Sequence, residues 1–171
     1  MNTSLVFTFI GADRPGLVER IAEQISAHQG SWQESRMVEL AGQFAGIARV
    51  TVASDQTESL RRALQALSSE GLEITLQNSD SKVSSQRVKP CKLSVVGNDR
   101  PGIVHEISRA LKLHQINVVE MSSNVTSAAM SGDTLFEALA QVELPATVNR
   151  DQLEDALDSI ADQLSLDILV E

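Results

Sequence analysis

The chain has 171 residues, a formal net charge of −9 and a hydrophobic fraction of 42%, which is ordinary for a globular protein. Its basic residues are scattered and it has no tyrosine and one tryptophan, so direct nucleic-acid binding is disfavoured. It has no apolar run long enough to span a bilayer and no basic start typical of a secretory signal. The single cysteine, Cys91, rules out an internal disulfide and fits a reducing compartment, so we expect a cytoplasmic protein without membrane partners.

The first half of the chain predicts six elements in the order strand, helix, strand, strand, helix, strand. Residues 5–10 form an apolar run typical of a buried strand, and apolar residues then recur at helical spacing from Val18 to Ile25. Gly30 and Gly71 are expected to end the two helices, and Leu72, Ile74 and Leu76 alternate as in a half-buried strand. The predicted elements of this half are strand 5–10, helix 18–29, strands 32–40 and 44–52, helix 57–70 and strand 72–76.

The second half repeats the same order of elements. The main difference is a longer hairpin connection at residues 127–133. The predicted elements are strand 92–97, helix 104–114, strands 116–126 and 135–144, helix 153–164 and strand 166–170. Residues 79–89 are polar and rich in serine, as is typical of a linker, so we predict domains at residues 1–78 and 90–171. The fold class is therefore α+β: two ferredoxin-like β-α-β-β-α-β domains, each with an antiparallel sheet and both helices on one face.

An eight-residue segment occurs twice, at residues 11–18 and 97–104, with six of its eight positions identical and a displacement of 86 residues. Because that displacement is close to half the chain, we interpret it as a tandem duplication. Asp13 and Asp99 are expected to cap the helix that follows, and Gly16 and Gly102 to allow a close approach of a strand or a ligand. The free N–H groups of the first turn would attract a small carboxylate. The alternative is that the segment is only a well-built connection between strand and helix.

A β-α-β-β-α-β module whose first turn contains Asp-Arg-Pro-Gly, at residues 13–16 and again at 99–102, resembles an ACT domain. The resemblance covers nearly the whole chain. ACT domains are small regulatory modules that often bind amino acids at interfaces between copies, so the resemblance implies a ligand site at the two turns. The residues that it implies are Gly11, Ala12, Asp13, Arg14, Pro15, Gly16, Asn98, Asp99, Arg100, Pro101 and Gly102.

At such a site the backbone N–H groups would hold the ligand's carboxylate, and Asp13 or Asp99 would accept from its ammonium group. An aspartate that already caps the helix could not also do this. Asn98 replaces Ala12, so the two sites need not be equivalent. The three residues Ser122, Ser123 and Asn124 are a weaker candidate, because an ordinary polar strand face explains them better.

A chain of only two such domains, with Ser131 to Phe136 in its second hairpin, is similar to regulators that repress glycine cleavage genes. The resemblance implies a non-enzymatic amino-acid sensor that contacts a DNA-binding transcription factor and does not bind DNA itself. Glycine is the ligand that it implies, although no residue pattern selects it. We expect no metal and no cofactor, because the chain shows no metal-ligand spacing.

Three alternative functions remain open for a chain with these sequence features. The first is a freestanding ACT regulatory subunit that tunes a metabolic enzyme. The second is an enzyme, which is disfavoured because no Ser, Cys or Lys lies in a nucleophile signature. The third is a structural dimerisation module that has lost its ligand sites. A homodimer is compatible with all of these interpretations, because antiparallel sheets often extend from one module to another.

Overall fold

The computed structural model describes residues 1–79, 89–128 and 132–170, with two compact units in residues 1–83 and 84–171. Each unit contains one four-stranded sheet in which every described strand pair is antiparallel. The predicted α+β class and the β-α-β-β-α-β order are confirmed in both halves. The predicted linker, apart from its end residues 79 and 89, lies outside the described residues, as do positions 129–131 of the predicted hairpin connection.

The first unit has sheet order β2-β3-β1-β4, and two helices pack on one face of that sheet. A short 3-10 turn, Leu67–Glu70, follows the second helix. The elements are β1 (Asn2–Ala12), α1 (Leu17–Ala27), β2 (Ser31–Leu40), β3 (Gln43–Ala53), α2 (Thr57–Ala66) and β4 (Glu73–Asn78).

The second unit has the matching sheet order β6-β7-β5-β8. Its first strand begins at Lys89, three residues before the predicted start at Lys92. The elements are β5 (Lys89–Asn98), α3 (Ile103–Leu113), β6 (Asn117–Ser127), β7 (Thr134–Leu144), α4 (Arg150–Leu164) and β8 (Leu166–Val170). No helix in the described residues combines the length and the apolar character that a membrane span requires.

Each unit has its own apolar core between its sheet and its helices. In the first unit Phe7 on β1 is fully buried and packs with Ile21 on α1 and Leu64 on α2. In the second unit Leu93 on β5 and Leu157 on α4 belong to a separate core. Because side chains alternate along a strand, the residues between these positions lie on the other face of each sheet. Thr8, Ile10 and Ile47 lie on that face in the first unit, and Ile10 and Ile47 are almost half exposed.

Candidate functional site

The repeated turn joins the first strand of each unit to its first helix. In the first unit the Asp13 N–H donates to the Gly42 carbonyl at 2.9 Å, and in the second the Asp99 N–H donates to the Thr134 carbonyl at 2.9 Å. Both bonds tie the turn to the neighbouring strand, at the start of β7 or just before β3. The turn is therefore held in the same way in both copies.

The helices are capped by glycine, so the prediction that Asp13 and Asp99 cap them was wrong. Gly16 takes the N-cap position with φ 92°, Gly102 takes it with φ 89°, and neither helix start has a side-chain cap. This left-handed conformation favours glycine, and it puts each aspartate three residues before the cap. Both aspartates are exposed, and neither carboxylate has a hydrogen-bond partner among the described residues.

The expected close approach belongs to a different pair of glycines. A Cβ on Gly16 would have only the Glu19 carboxylate near it, at 3.9 Å, and one on Gly102 would meet nothing within 4 Å. By contrast, a Cβ on Gly11 would lie 2.6 Å from the Gly71 carbonyl oxygen, and one on Gly97 would collide with Leu166. Gly16 and Gly102 are thus required by backbone conformation, whereas Gly11 and Gly97 are required by packing.

The repeated arginine ties the turn to the end of the second helical segment of its own unit. The Arg14 guanidinium donates to the Glu70 carbonyl at 2.5 Å, and Glu70 ends the 3-10 turn after α2. The Arg100 guanidinium donates to the carbonyl of Leu164, the last residue of α4, at 3.3 Å. Carbonyls at the end of a helix have no intrahelical donor, so each arginine satisfies one of them. Ligand binding by these arginines stays a prediction.

The charges around the two turns differ. In the first copy Arg20 forms an ion pair with the Glu70 carboxylate, which lowers the pKa of Glu70, and it also pairs with Glu23. The residue 86 positions after Arg20 is Glu106, which pairs with Arg100 at 2.6 Å. That pair lowers the pKa of Glu106 and raises the pKa of Arg100. These groups are partly exposed, so solvent weakens each pair.

The second copy has Glu106 at the position of Arg20, so the arginine of the repeated motif has different charged neighbours in the two copies. Arg14 forms no ion pair with a carboxylate among the described residues, and the Glu70 carboxylate, whose pKa it helps to lower, is engaged by Arg20. Arg100 is neutralised by Glu106 within the first turn of α3. The turn of the first copy is thus better suited to an anionic group than the turn of the second.

The N-termini of α1 and α3 also differ in how many of their N–H groups have an acceptor. The first N–H groups of a helix have no intrahelical acceptor, and in α1 the first bond to the cap is from the Arg20 N–H to the Gly16 carbonyl at 3.0 Å. In α3 the corresponding bond runs from Glu106 to Gly102 at 3.0 Å, and the Ile103 N–H also donates to the Arg100 carbonyl at 3.3 Å. The first copy therefore presents one more free N–H at its turn within the described residues.

The remaining predicted site residues lie around these turns. Ala12, Pro15 and Pro101 are exposed. Asn98 is exposed at the end of β5 and lines an open cavity of about 590 Å³ together with Leu135, Asp162 and other residues near the end of α4. Ser122, Ser123 and Asn124 lie elsewhere, on β6, where they line a groove of about 310 Å³. No group of three or more His, Cys, Asp or Glu side chains in the described residues is arranged to hold a metal.

Comparison with known proteins supports this repeated architecture. A family model described as "ACT domain" matches residues 3–77 and again residues 93–171. The glycine cleavage system transcriptional repressor of Escherichia coli is 22% identical over 165 residues, which cover 94% of this chain and 85% of that protein. UPF0237 protein MK1213 of Methanopyrus kandleri is 32% identical over 80 residues, which cover 46% of this chain and 82% of that protein.

Two solved structures share the fold over the whole chain. A crystal structure of a protein of unknown function from Galdieria sulphuraria has a TM-score of 0.86 at 27% identity and covers 100% of this chain, which covers 98% of it. The crystal structure of a protein proposed to be a glycine cleavage system transcriptional repressor has a TM-score of 0.77 at 15% identity. The match covers 100% of this chain and 97% of that protein. Because the family model matches both halves, from residue 3 to residue 171, this chain belongs to the ACT domain family and carries two ACT domains in tandem.

Proposed function

We propose that the chain is a non-enzymatic regulator that binds a small amino acid at its repeated turn and controls a partner protein by direct contact. The observation that carries this proposal is that the turn combines an aspartate carboxylate without a partner among the described residues with a helix start that has no side-chain cap. A zwitterion offers the complementary groups, since its carboxylate suits helix N–H donors and its ammonium suits an aspartate. Membership of a family of ligand-binding regulatory modules supports the same conclusion.

The finer proposal is that the ligand is glycine and that the partner is a DNA-binding transcription factor. Its support is the similarity to the Escherichia coli relative, a transcriptional repressor of the glycine cleavage system. A net charge of −9 favours contact with a protein over contact with DNA. The single cysteine and the absence of a long apolar run in the sequence are compatible with a cytoplasmic regulator.

Isothermal titration calorimetry of the full chain with glycine, and then with each other amino acid, tests ligand binding. We expect saturable binding that weakens about tenfold or more in Asp13→Asn, because a charge-assisted hydrogen bond to the ammonium is lost. Asp99→Asn is expected to have the smaller effect on binding. Glu106 neutralises Arg100 in that copy, so the second turn holds the ligand's carboxylate less well and contributes less to binding. Asp55→Asn is the matched control, because Asp55 is an exposed aspartate in the turn before α2.

No saturable heat with any amino acid, or equal affinities in Asp13→Asn and Asp55→Asn, would contradict the proposed site. The partner is tested separately by crosslinking the tagged chain in cell extract with and without glycine. Enrichment of a DNA-binding protein supports the repressor. Enrichment of a metabolic enzyme instead would support a freestanding regulatory subunit, which has the same fold and ligand class.

A further inference from the structure

The outer face of the second sheet, which is the face away from α3 and α4, carries a groove of about 310 Å³ across three neighbouring strands. Val95 and Ala138 belong to the core on the helix side, so the side chains beside them in sequence point to the groove. Two cross-strand rows line it. Ser122 and Ser94 both lie opposite Leu139, and Asn124 and Val96 both lie opposite Glu137.

Four polar side chains of this groove lack hydrogen-bond partners among the described residues. The side chains of Ser94, Ser122, Asn124 and Glu137 form no hydrogen bond or ion pair among the described residues. Glu137 is exposed, and its carboxylate is the one charge among the lining side chains. Asp167, which lies opposite Val96 on β8, adds a second negative charge beside the groove.

The first repeat serves as an internal comparison, because its sheet has the same strand order and the same alternation. There the matching rows are Arg36 and Thr8 opposite Ile47, and Val38 and Ile10 opposite Ala45. An arginine thus stands where the second repeat has Ser122, and an alanine stands where it has Glu137. The carboxylate and the small side chains that open the groove are therefore particular to the second repeat.

The charge of the groove selects its ligand. The cation on the same face of β5 is Lys92, which is four residues from Val96 and so about 13 Å from the row that contains Glu137. A small ligand seated on Glu137 would not reach it, so a carboxylate group would find no cation there among the described residues of this unit. Val96 and the half-exposed Leu139 offer apolar contact, and the two serines and Asn124 offer hydrogen bonds.

We propose that this groove binds a small organic ammonium ion, with its amine on Glu137, its aliphatic stem over Val96 and Leu139, and a terminal hydroxyl on the serines. The volume is at the lower end of the range for small-molecule sites, which fits a ligand of a few carbon atoms. This site is separate from the repeated turns, so it does not depend on the function proposed for them.

The probe for the test is 4-aminobutan-1-ol, titrated into the isotopically labelled full chain and followed by amide chemical shifts. We expect saturable shifts at residues 94–96, 122–124 and 137–139, and none at residues 13–17. Butane-1,4-diol, which lacks the ammonium, and 4-hydroxybutanoate, which carries the opposite charge, are expected not to saturate. Glycine provides the comparison with the turn, where its shifts are expected to appear.

Two variants test the groove itself. Glu137→Gln keeps the shape and removes the charge, and it is expected to weaken binding of the probe about tenfold or more. Ser122→Arg places in the groove the residue that the first repeat has there and is expected to abolish binding. Glu73→Gln, which makes the same charge change on the first sheet, is the matched control. Equal binding in Glu137→Gln and Glu73→Gln, saturation by the diol, or no shifts at the groove would each overturn the proposal.

Discussion

The glycine, arginine and aspartate of the motif Asp-Arg-Pro-Gly have different structural roles. The glycine adopts the left-handed conformation that starts the helix, and the arginine closes the end of a distant helical segment. The aspartate carboxylate has no hydrogen-bond partner among the described residues in either copy, which is the reverse of the role that the sequence suggested. A capping aspartate and a capping glycine produce the same local pattern, so only the backbone geometry could distinguish them.

The Arg100–Glu106 pair makes a prediction for the dependence of stability on pH. Because the folded state lowers the pKa of Glu106, the unfolded state binds more protons in the acidic range. The pair therefore stabilises the fold at pH values above the ordinary glutamate pKa of about 4.3, and this stabilisation is lost as the pH falls through the lower folded-state pKa. Glu106→Gln should remove this part of the acid dependence.

The unfolding free energies of the unmodified chain and of Glu106→Gln are measured by denaturant titration from pH 7 to pH 2. We expect the difference in unfolding free energy to be small, since solvent reaches the partly exposed pair, and to shrink toward low pH and at high salt. Glu143→Gln is the control, because Glu143 is a partly exposed glutamate on β7 that accepts from Asn117 and pairs with no arginine among the described residues. A difference that grows as the pH falls would contradict the assignment.

The elements of each unit follow from patterns that are local in the chain. Leu17, Ile21 and Ile25 recur at helical spacing and are buried, and the alternation along β1 buries Leu5, Phe7 and Phe9. The hairpin between β2 and β3 turns at Ala41 and Gly42, which have φ of 52° and 79°. Positive φ at both positions matches the twist of a two-residue hairpin, so the predicted connection at Ala41 to Gln43 closes as expected.

The second helix of the first unit offers a test of this packing. Leu64 on α2 is fully buried, so Leu64→Ala should lower the unfolding free energy by about 2 to 5 kcal/mol through lost burial and the cavity that remains. Leu113→Ala, at a helical leucine that is 76% exposed, should change it by less than about 0.5 kcal/mol. Denaturant titration measures both, and equal losses would contradict the assigned burial.

At the scale of the whole molecule, the chain contains two separate cores. The residues of the first core all lie between Leu5 and Leu76, and those of the second all lie between Cys91 and Val170. Each unit of about 80 residues is near the lower size limit for a domain that folds alone. The boundaries predicted at residues 78 and 90 stay a prediction, and they can be tested with fragments.

Fragments 1–79 and 89–171 are expected to fold independently, because every strand of each sheet and its core lie within one fragment. Circular dichroism and thermal unfolding provide the measurement, with a cooperative transition expected for each. A fragment 1–70, which lacks β4, is the control and should not unfold cooperatively. A non-cooperative fragment 1–79 or 89–171 would show that the unit depends on its neighbour.

The sequence by itself determined the duplication, the order of the elements, the α+β class and the resemblance to ACT domains. These conclusions depend on periodicity and on motifs that are adjacent in the chain, which need no knowledge of distant contacts. The tertiary structure alone decided the contact of Arg14 with Glu70, which is 56 residues away, and the assembly of Ser94, Ser122 and Glu137 from three strands. The groove depends on strand register, so a one-residue shift would change it, whereas the Arg14 contact depends on packing between distant segments of the chain.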